Sequence, residues 1–207
     1  MERALRLVTV TAEASNGIGL ADASRAADLA PSTATRILRT LEATGFVTRR
    51  DDGTYAAGAE LIRLGAIHAA ESPMLSAAQA HLDDLAATTG ESCYLAIPID
   101  DEWATYVRMA QSPHSVRHVS WLGRRIPRAS SAVGAALAGR VNDAGVAMVI
   151  DGVESGTTAV ATPLRHRGAI VAAINVVGPS FRMTVASRRA IVRATVVVGR
   201  SLESAAG

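Results

Sequence analysis

Residues Leu20 to Phe46, LADASRAADLAPSTATRILRTLEATGF, constrain this chain more than any other stretch. They read as two short helices joined by a tight turn. Pro31 stands at the turn, where its fixed φ can open a helix but its missing N–H bars it from a helix interior. Ser32 and Thr33 are capping-type residues ahead of the apolar repeat Ile37, Leu38 and Leu41, so they are expected to cap the second helix. Gly45 ends that helix, and Phe46 and Val47 begin an extended segment. The polar residues left on the helix are Ser32, Thr33, Thr35, Arg36 and Arg39, all in its first turns. A helix that meets base edges with its N-terminal residues, while its apolar face holds it to its neighbours, needs this arrangement. The stretch predicts a helix-turn-helix.

The flanks agree. Residues 2–14 place Leu5, Val8 and Ala12 on one helical face, with Leu7 and Val10 beside it. Their β-branched content leaves packing, not propensity, to hold the helix. Ser15-Asn16-Gly17 ends it. Phe46 to Ala57 forms two short extended segments about Asp51-Asp52-Gly53, and Asp-Gly between strand-like residues is a strong hairpin signal. Three helices followed by a hairpin make a winged helix-turn-helix. Arg49 and Arg50 approach the wing tip, within reach of a phosphate or the minor groove.

The placement of charge says more than the net value of +2. Residues 1–63 carry eight Arg and eight acids, residues 64–164 six Arg and ten acids, and residues 165–207 seven Arg and one acid. The N-terminal third is therefore not globally basic. Within it, residues 32–50 set Arg36, Arg39, Arg49 and Arg50 against Glu42 alone. That excess suits either a phosphate footprint or a solvated helix face, and charge alone does not separate the two. The single cysteine, Cys93, excludes an intramolecular disulfide framework and suits a reducing compartment. No apolar run approaches the roughly 20 residues of a membrane helix. The start, MERALRLV, carries Glu2 and no cleavage-site pattern. The expected location is the cytoplasm, with no membrane partner.

Beyond the wing, Leu61, Leu64 and Ile67 recur at helical spacing in Gly58 to Ala70, which reads as a linker helix broken at Glu71-Ser72-Pro73. A second helix, Met74 to Thr89, aligns Leu75, Ala78, Leu82 and Leu85. From Glu91 the period changes. Ser92 to Pro98, Trp103 to Met109 and Val116 to Leu122 read as strands, followed by a loop over Gly123 to Pro127. Ser130 or Ser131 caps a small-residue helix reaching about Arg140. Ala144 to Ile150, Thr158 to Pro163 and Ala169 to Val177 are further strands, and Met183 to Ser204 is a terminal helix despite its β-leaning Val196-Val197-Val198. Helices flanking an antiparallel sheet make this half α+β.

No catalytic set emerges. His114 and His118 stand four apart, but Pro113 and the β-leaning Val116 and Val119 argue against the helix on which that spacing would bind a metal. Ser130 and Ser131 lack a nucleophile elbow, and capping accounts for them. Cys93 in an apolar strand reads as a structural thiol. Gly17-Ile18-Gly19 lacks the third glycine and the preceding strand of a phosphate loop. The expectation is no enzyme, no metal and no cofactor.

In their order the local phrases resemble the IclR family of bacterial transcription regulators. Arg3-Ala4-Leu5-Arg6-Leu7 is similar to the family's opening. Pro31 to Leu38 and Thr40 to Val47 resemble its recognition-helix phrase, and Tyr55, Gly58, Leu61 and Leu64-Gly65 its exit from the wing. Gly90-Glu91-Ser92, Gly123 to Pro127 and Ala173 to Pro179 follow in family-like order. The resemblance implies a winged helix (1–58) that binds a double-stranded DNA operator and a linker helix (59–72). It also implies a GAF-like effector-binding domain (73–207) and assembly as a homodimer or a dimer of dimers. Three departures stand out. Pro127-Arg128-Ala129-Ser130-Ser131 lacks the family's histidine, and its lysine after Gly134 is also missing. The segment after Arg140 is shortened. Asn175 and Val177 replace two serines.

Carried over position by position, the effector contacts fall on Ala132, Val133, Asp151, Ala159, Asn175 and Val177. A polar Asn175 in an apolar strand must find a partner if buried, and a structural hydrogen bond and a ligand remain equally open. An apolar or aromatic carboxylate fits these positions better than a small hydrophilic acid. The expected DNA contacts are Ser32, Thr33, Thr35, Arg36, Arg39, Arg49 and Arg50. The reading is a ligand-responsive, sequence-specific transcription regulator. The competing reading, favoured by the near-neutral charge of residues 1–63, is a winged-helix interaction or oligomerisation module that does not read DNA.

Overall fold

The computed structural model describes residues 1–205 and divides after Glu71 into two compact units. In the first, α1 (Glu2–Glu13), α2 (Leu20–Ala26) and α3 (Pro31–Ala43) precede a hairpin of β1 (Val47–Arg49) and β2 (Tyr55–Ala57) and then α4 (Ala59–Glu71). The core is aliphatic: Leu7, Ala23, Ala27, Ala34, Leu38 and Val47 are buried together, with Tyr55 closing one side. Each fully buried leucine contributes about 2 kcal/mol.

Two local expectations are corrected. Helix α1 buries Leu7 and Thr11, while Leu5 is 61% exposed and Ala12 faces solvent. The helix is turned from the predicted face because the Thr11 hydroxyl can be satisfied inside, donating to the Leu7 carbonyl at 2.9 Å. In α3, Ser32 and Thr33 do not cap. The N-cap is Ala30 with no side-chain bond, and Pro31 is the first helical residue. Proline needs no partner for a missing N–H, so the helix starts earlier than the hydroxyls suggest. The end of α3 follows expectation. Gly45, at φ 76°, donates to the Glu42 carbonyl and Phe46 to the Leu41 carbonyl, the paired bonds of a Schellman stop. At the hairpin tip the Asp52 carboxylate accepts from the Thr54 amide and hydroxyl, which holds it below its usual pKa.

The second unit is a six-stranded antiparallel sheet in the order β5-β4-β3-β8-β7-β6. Its strands are β3 (Ser92–Pro98), β4 (Trp103–Ala110), β5 (Arg125–Pro127), β6 (Ala147–Ile150), β7 (Thr157–His166) and β8 (Ala169–Pro179). Helices α5 (Pro73–Thr89) and α7 (Val185–Ala205) pack on each other and on the sheet, and the short α6 (Ala132–Leu137) packs on β7 and β8. Ser72 caps α5 by accepting from the Leu75 amide, and Ser131 caps α6 by accepting from the Gly134 amide at 3.0 Å. Arg167 and Gly168, both at positive φ, make the two-residue turn between β7 and β8 that suits a twisted hairpin.

The predicted strand Val116–Leu122 is not one. Residues 111–121 are irregular, and only Leu122 forms an isolated bridge, to Tyr106. Ser112 ties the segment down through bonds to Ser92 and the Gly90 carbonyl, and His118 is drawn inside. Conversely, the predicted loop at 123–127 contains β5, whose Ile126 pairs with Ala104. Strand β6 starts at Ala147, later than predicted, because Asn142 folds the preceding residues into a turn by accepting from the Ala144 and Val146 amides.

A buried ion pair closes one end of the sheet. Glu91, just before β3, accepts two bonds from the Arg182 guanidinium at 2.7 and 2.8 Å. Its side chain is 5% exposed. Gly178 packs against it, and a Cβ there would lie 2.5 Å from the carboxylate that Arg182 holds.

Candidate functional site

Two features stand out, one in each unit. On α3, Ser32, Arg36 and Arg39 are exposed and Thr33 and Thr35 half-buried. Ser32, Thr35, Arg36 and Arg39 follow the three- and four-residue spacing that aligns side chains on one helix face. The Thr35 hydroxyl donates to the Pro31 carbonyl. Among the described residues, no acid or hydrogen bond engages the guanidinium of Arg36 or Arg39. Arg3 of α1 lines a shallow depression with Thr33, Arg36 and Ile37. It is a basic neighbour that sequence spacing could not place there. Arg49 lies over the Tyr55 ring at 5.9 Å, while Arg50 reaches back to where a side chain on Gly17 would be.

The second feature is a cavity between the sheet and the start of α6. Cross-strand pairing puts Tyr94, Ala161 and Asn175 in one row. Paired residues of an antiparallel sheet share a face, and the expected contacts Ala132, Val133, Ala159, Asn175 and Val177 all line the cavity. Asp151 does not. Its carboxylate turns into its own loop and accepts from the Gly156 amide at 2.6 Å, and its φ of 55° belongs to that tight bend. Tyr106, His118, Trp121 and Glu154, which sequence reasoning missed, complete the wall. His118 was the nearest to a legible signal, but its placement depends on an irregular segment. The free interior is about 30 Å³, room for roughly two waters.

The interior is held by stacked phenols. The Tyr94 and Tyr106 rings lie 4.2 Å apart, and burial pushes both hydroxyls above the ordinary tyrosine range. Tyr94 Oη lies 2.7 Å from His118 Nδ1, and His118 Nε2 lies 3.3 Å from a Glu154 carboxylate oxygen. Burial pushes the His118 pKa down, with Glu154 opposing the shift. A neutral ring fits this geometry, with Nε2–H facing Glu154 and the one Tyr94 hydroxyl proton shared between Nδ1 and the Val119 carbonyl, 3.2 Å from Oη. Asn175 Nδ2 donates to Tyr106 Oη at 2.5 Å. Asn175 Oδ1 is buried without a partner.

Elsewhere the chemistry is quiet. Burial pushes the Cys93 thiol up to about 12, far from a reactive thiolate. His114 lies near Gly90 while His118 faces Tyr94 and Glu154, so the two rings do not converge. Among the described residues no cluster of metal-binding side chains forms, and no helix is long and apolar enough to cross a membrane.

Two family profiles match this chain. That of the IclR helix-turn-helix domain covers residues 1–51, and that of the bacterial transcriptional regulator IclR C-terminal domain covers residues 68–144. The chain belongs to the IclR family. Members of that family are transcriptional regulators, not enzymes. The glycerol operon regulatory protein of Streptomyces coelicolor is 35% identical over 138 residues, covering 66% of this chain and 54% of that protein. The chain spans about half the length of these curated relatives. An IclR transcriptional regulator from Alicyclobacillus acidocaldarius has a similar fold, with a TM-score of 0.86 at 19% identity, covering 100% of this chain and 97% of that one. An IclR homolog from Microbacterium hydrocarbonoxydans, complexed with 4-hydroxybenzoate, gives a TM-score of 0.74 at 20% identity, covering 98% of each chain. The α+β architecture, a helix-turn-helix followed by an antiparallel sheet with helices, is that of the family's solved structures.

Proposed function

We propose that this IclR-family chain is a cytoplasmic, homodimeric regulator that reads operator DNA and answers to a small molecule. The observation that carries the DNA half is the exposed stripe on α3, with the unengaged guanidinium groups of Arg36 and Arg39. Ser32, Thr33, Thr35, Arg36 and Arg39 meet the major groove, and Arg49 and Arg50 of the hairpin meet the backbone or minor groove. The linker is α4, between a DNA-reading domain (1–58) and an effector domain (73–207). Its exposed Ile62, Leu64 and Ile67 support self-association.

The effector site of this reading is the cavity at Ala132, Val133, Ala159, Asn175 and Val177. Its lining supports a small aromatic or carboxylate effector, and the 4-hydroxybenzoate of the Microbacterium structure is both. Asp151 supports the wall by shaping its loop instead of touching ligand.

The test is a gel shift with genomic fragments selected by the chain itself. Arg36→Ala is expected to weaken binding at a selected site by about 1–3 kcal/mol, and by less on random DNA. Equal, negligible losses on both would remove Arg36 from the reading set. The exposed apolar row on α4 and the balanced charge of residues 1–63 favour a second reading, an interaction module without DNA specificity. That reading requires no sequence preference at either of two salt concentrations.

A further inference from the structure

The cavity of the effector unit has little free room, and its two loop walls are built differently. With about 30 Å³ free, it holds roughly two waters, so a small aromatic or carboxylate ligand fits only after a wall has moved. The strands and α6 belong to the core and stay. Residues 151–157, the turn between β6 and β7, are tied to themselves. The Asp151 amide donates to the Thr157 carbonyl, the Gly156 amide to the Asp151 carboxylate and the Thr157 hydroxyl to the Glu154 carbonyl. They are also tied to their surroundings. The Ser180 amide donates to the Gly156 carbonyl, and a Cβ on Gly152 would lie 2.3 Å from the Ser130 carbonyl oxygen.

The facing wall, residues 113–120, has none of this. Among the described residues, its backbone makes no hydrogen bond to another backbone group. Its two ends are anchored, by the bonds of Ser112 to Ser92 and the Gly90 carbonyl and by the Gly123 amide, which donates to the Tyr106 carbonyl. Between these anchors every residue of 113–120 except His118 is exposed. His118 turns inward, edge-on to the Tyr94 ring and tilted against Trp121. A single hydroxyl holds this stretch from inside: Tyr94 Oη lies 2.7 Å from His118 Nδ1 and 3.2 Å from the Val119 carbonyl. On the opposite loop Glu154 faces His118 Nε2 at 3.3 Å, but its side chain is 45% exposed, so water weakens that contact. A segment with few buried contacts and an unpaired backbone opens at a cost well below that of unfolding the sheet.

Resting on the effector-site reading above, we propose that residues 113–120 are a hinged lid on this cavity, latched through His118 and Tyr94, which swings out as a unit while the sheet stays folded and so admits the ligand.

His118 itself reports the opening. Diethyl pyrocarbonate acylates neutral imidazole and is far larger than the free interior, so its arrival at this buried ring is the passage of a small molecule through the opened wall. The full wild-type chain is labelled at neutral pH in urea steps below the unfolding transition. Tryptic cuts at Arg117 and Arg124 then leave His118 on a peptide without another histidine. The exposed His68 and His114 correct for reagent strength. Opening a short segment exposes little surface, so the His118 rate should stay flat over urea concentrations at which global unfolding rises steeply. Tyr94→Phe keeps the ring stacked on Tyr106 and should raise the flat rate about fivefold, the effect of one lost hydrogen bond. A rate that climbs with urea from the first step, no labelling before the sheet unfolds, or a flat rate unmoved by Tyr94→Phe would each overturn the proposal. The wild-type urea profile decides even where the variant does not fold. The effector-site reading fails separately, if neither benzoate nor phenol raises the melting temperature of the wild-type chain, because the labelling needs no ligand.

Discussion

Replacing Arg182 with methionine tests how the end of the effector sheet is held. The change keeps most of the apolar stem and removes the guanidinium that donates two bonds to Glu91 at 2.7 and 2.8 Å. The Glu91 side chain is only 5% exposed, against 22% for Arg182, so the carboxylate is the partner that water cannot rescue. Breaking a buried pair by removing one member costs roughly 3–5 kcal/mol. Partial solvent access at Arg182 favours the lower end, about 3 kcal/mol. At roughly 2–4 °C per kcal/mol, the effector unit should lose about 10 °C in Tm. Adding Glu91→Gln removes the stranded charge and should recover about half of the loss, a coupling that a double-mutant cycle reads directly. The assay is urea unfolding of the four chains followed by circular dichroism. A loss under about 1 kcal/mol for Arg182→Met, or a double variant no more stable than the single, would refute the argument. The effect should also reach the cavity, because Val177 of its wall directly precedes Gly178, which packs against the same carboxylate.

Other outcomes follow from single contacts. His118 has its pKa pushed below the ordinary 6.5 by burial, so the unfolded chain takes up a proton more readily than the folded one. Its contribution is complete above pH 6.5 and is lost as the pH falls from there towards the lowered folded value. His118→Gln should flatten that part of the stability profile in urea titrations, and an unchanged profile would exclude the residue as its source. A Cβ on Gly58 would lie 2.0 Å from the Gly45 carbonyl oxygen and 2.7 Å from the Phe46 carbonyl carbon, and both are backbone atoms that cannot swing away. Gly58→Ala should therefore cost about 3 kcal/mol in the N-terminal unit. A melting temperature within a degree or two of wild type would show that the junction of α3, the hairpin and α4 can open at little cost.

Much of the reading head was legible because its signals are local. Pro31, the repeat of Ile37, Leu38 and Leu41, Gly45 and the Asp52-Gly53 turn each act through neighbours a few residues away, so helix, stop and hairpin are marked without reference to long-range contacts. The errors there concerned rotation and onset. The 3.6-residue repeat in α1 did not say whether Leu5 or Leu7 faces inward, since a buried threonine that bonds its own helix is as good an interior residue as alanine. The cap of α3 went to Ala30 because proline relieves the need that Ser32 and Thr33 were expected to meet. In the effector unit the strands were legible where apolar residues alternate or run together, as in β3, β7 and β8. Residues 111–121 were not, because their path is set by side-chain ties of Ser112 to Ser92 and the Gly90 carbonyl and of His118 to Tyr94, partners 20 or more residues away in sequence.

By itself, then, the sequence determined a winged helix-turn-helix followed by an α+β unit, and through Asn175 it marked one polar residue in an apolar strand that had to find a partner. Tertiary structure alone decided what that partner is. Tyr106, 69 residues away in sequence, reaches Asn175 only because β4, β3 and β8 lie side by side in the sheet. His118 and Glu154 join them only because two loops fold over the same face. No local spacing encodes such a meeting, since it depends on which strands become neighbours and in what register. Asp151, by the same logic, left the site: its backbone bend turned a carboxylate expected to face a ligand into the support of its own loop.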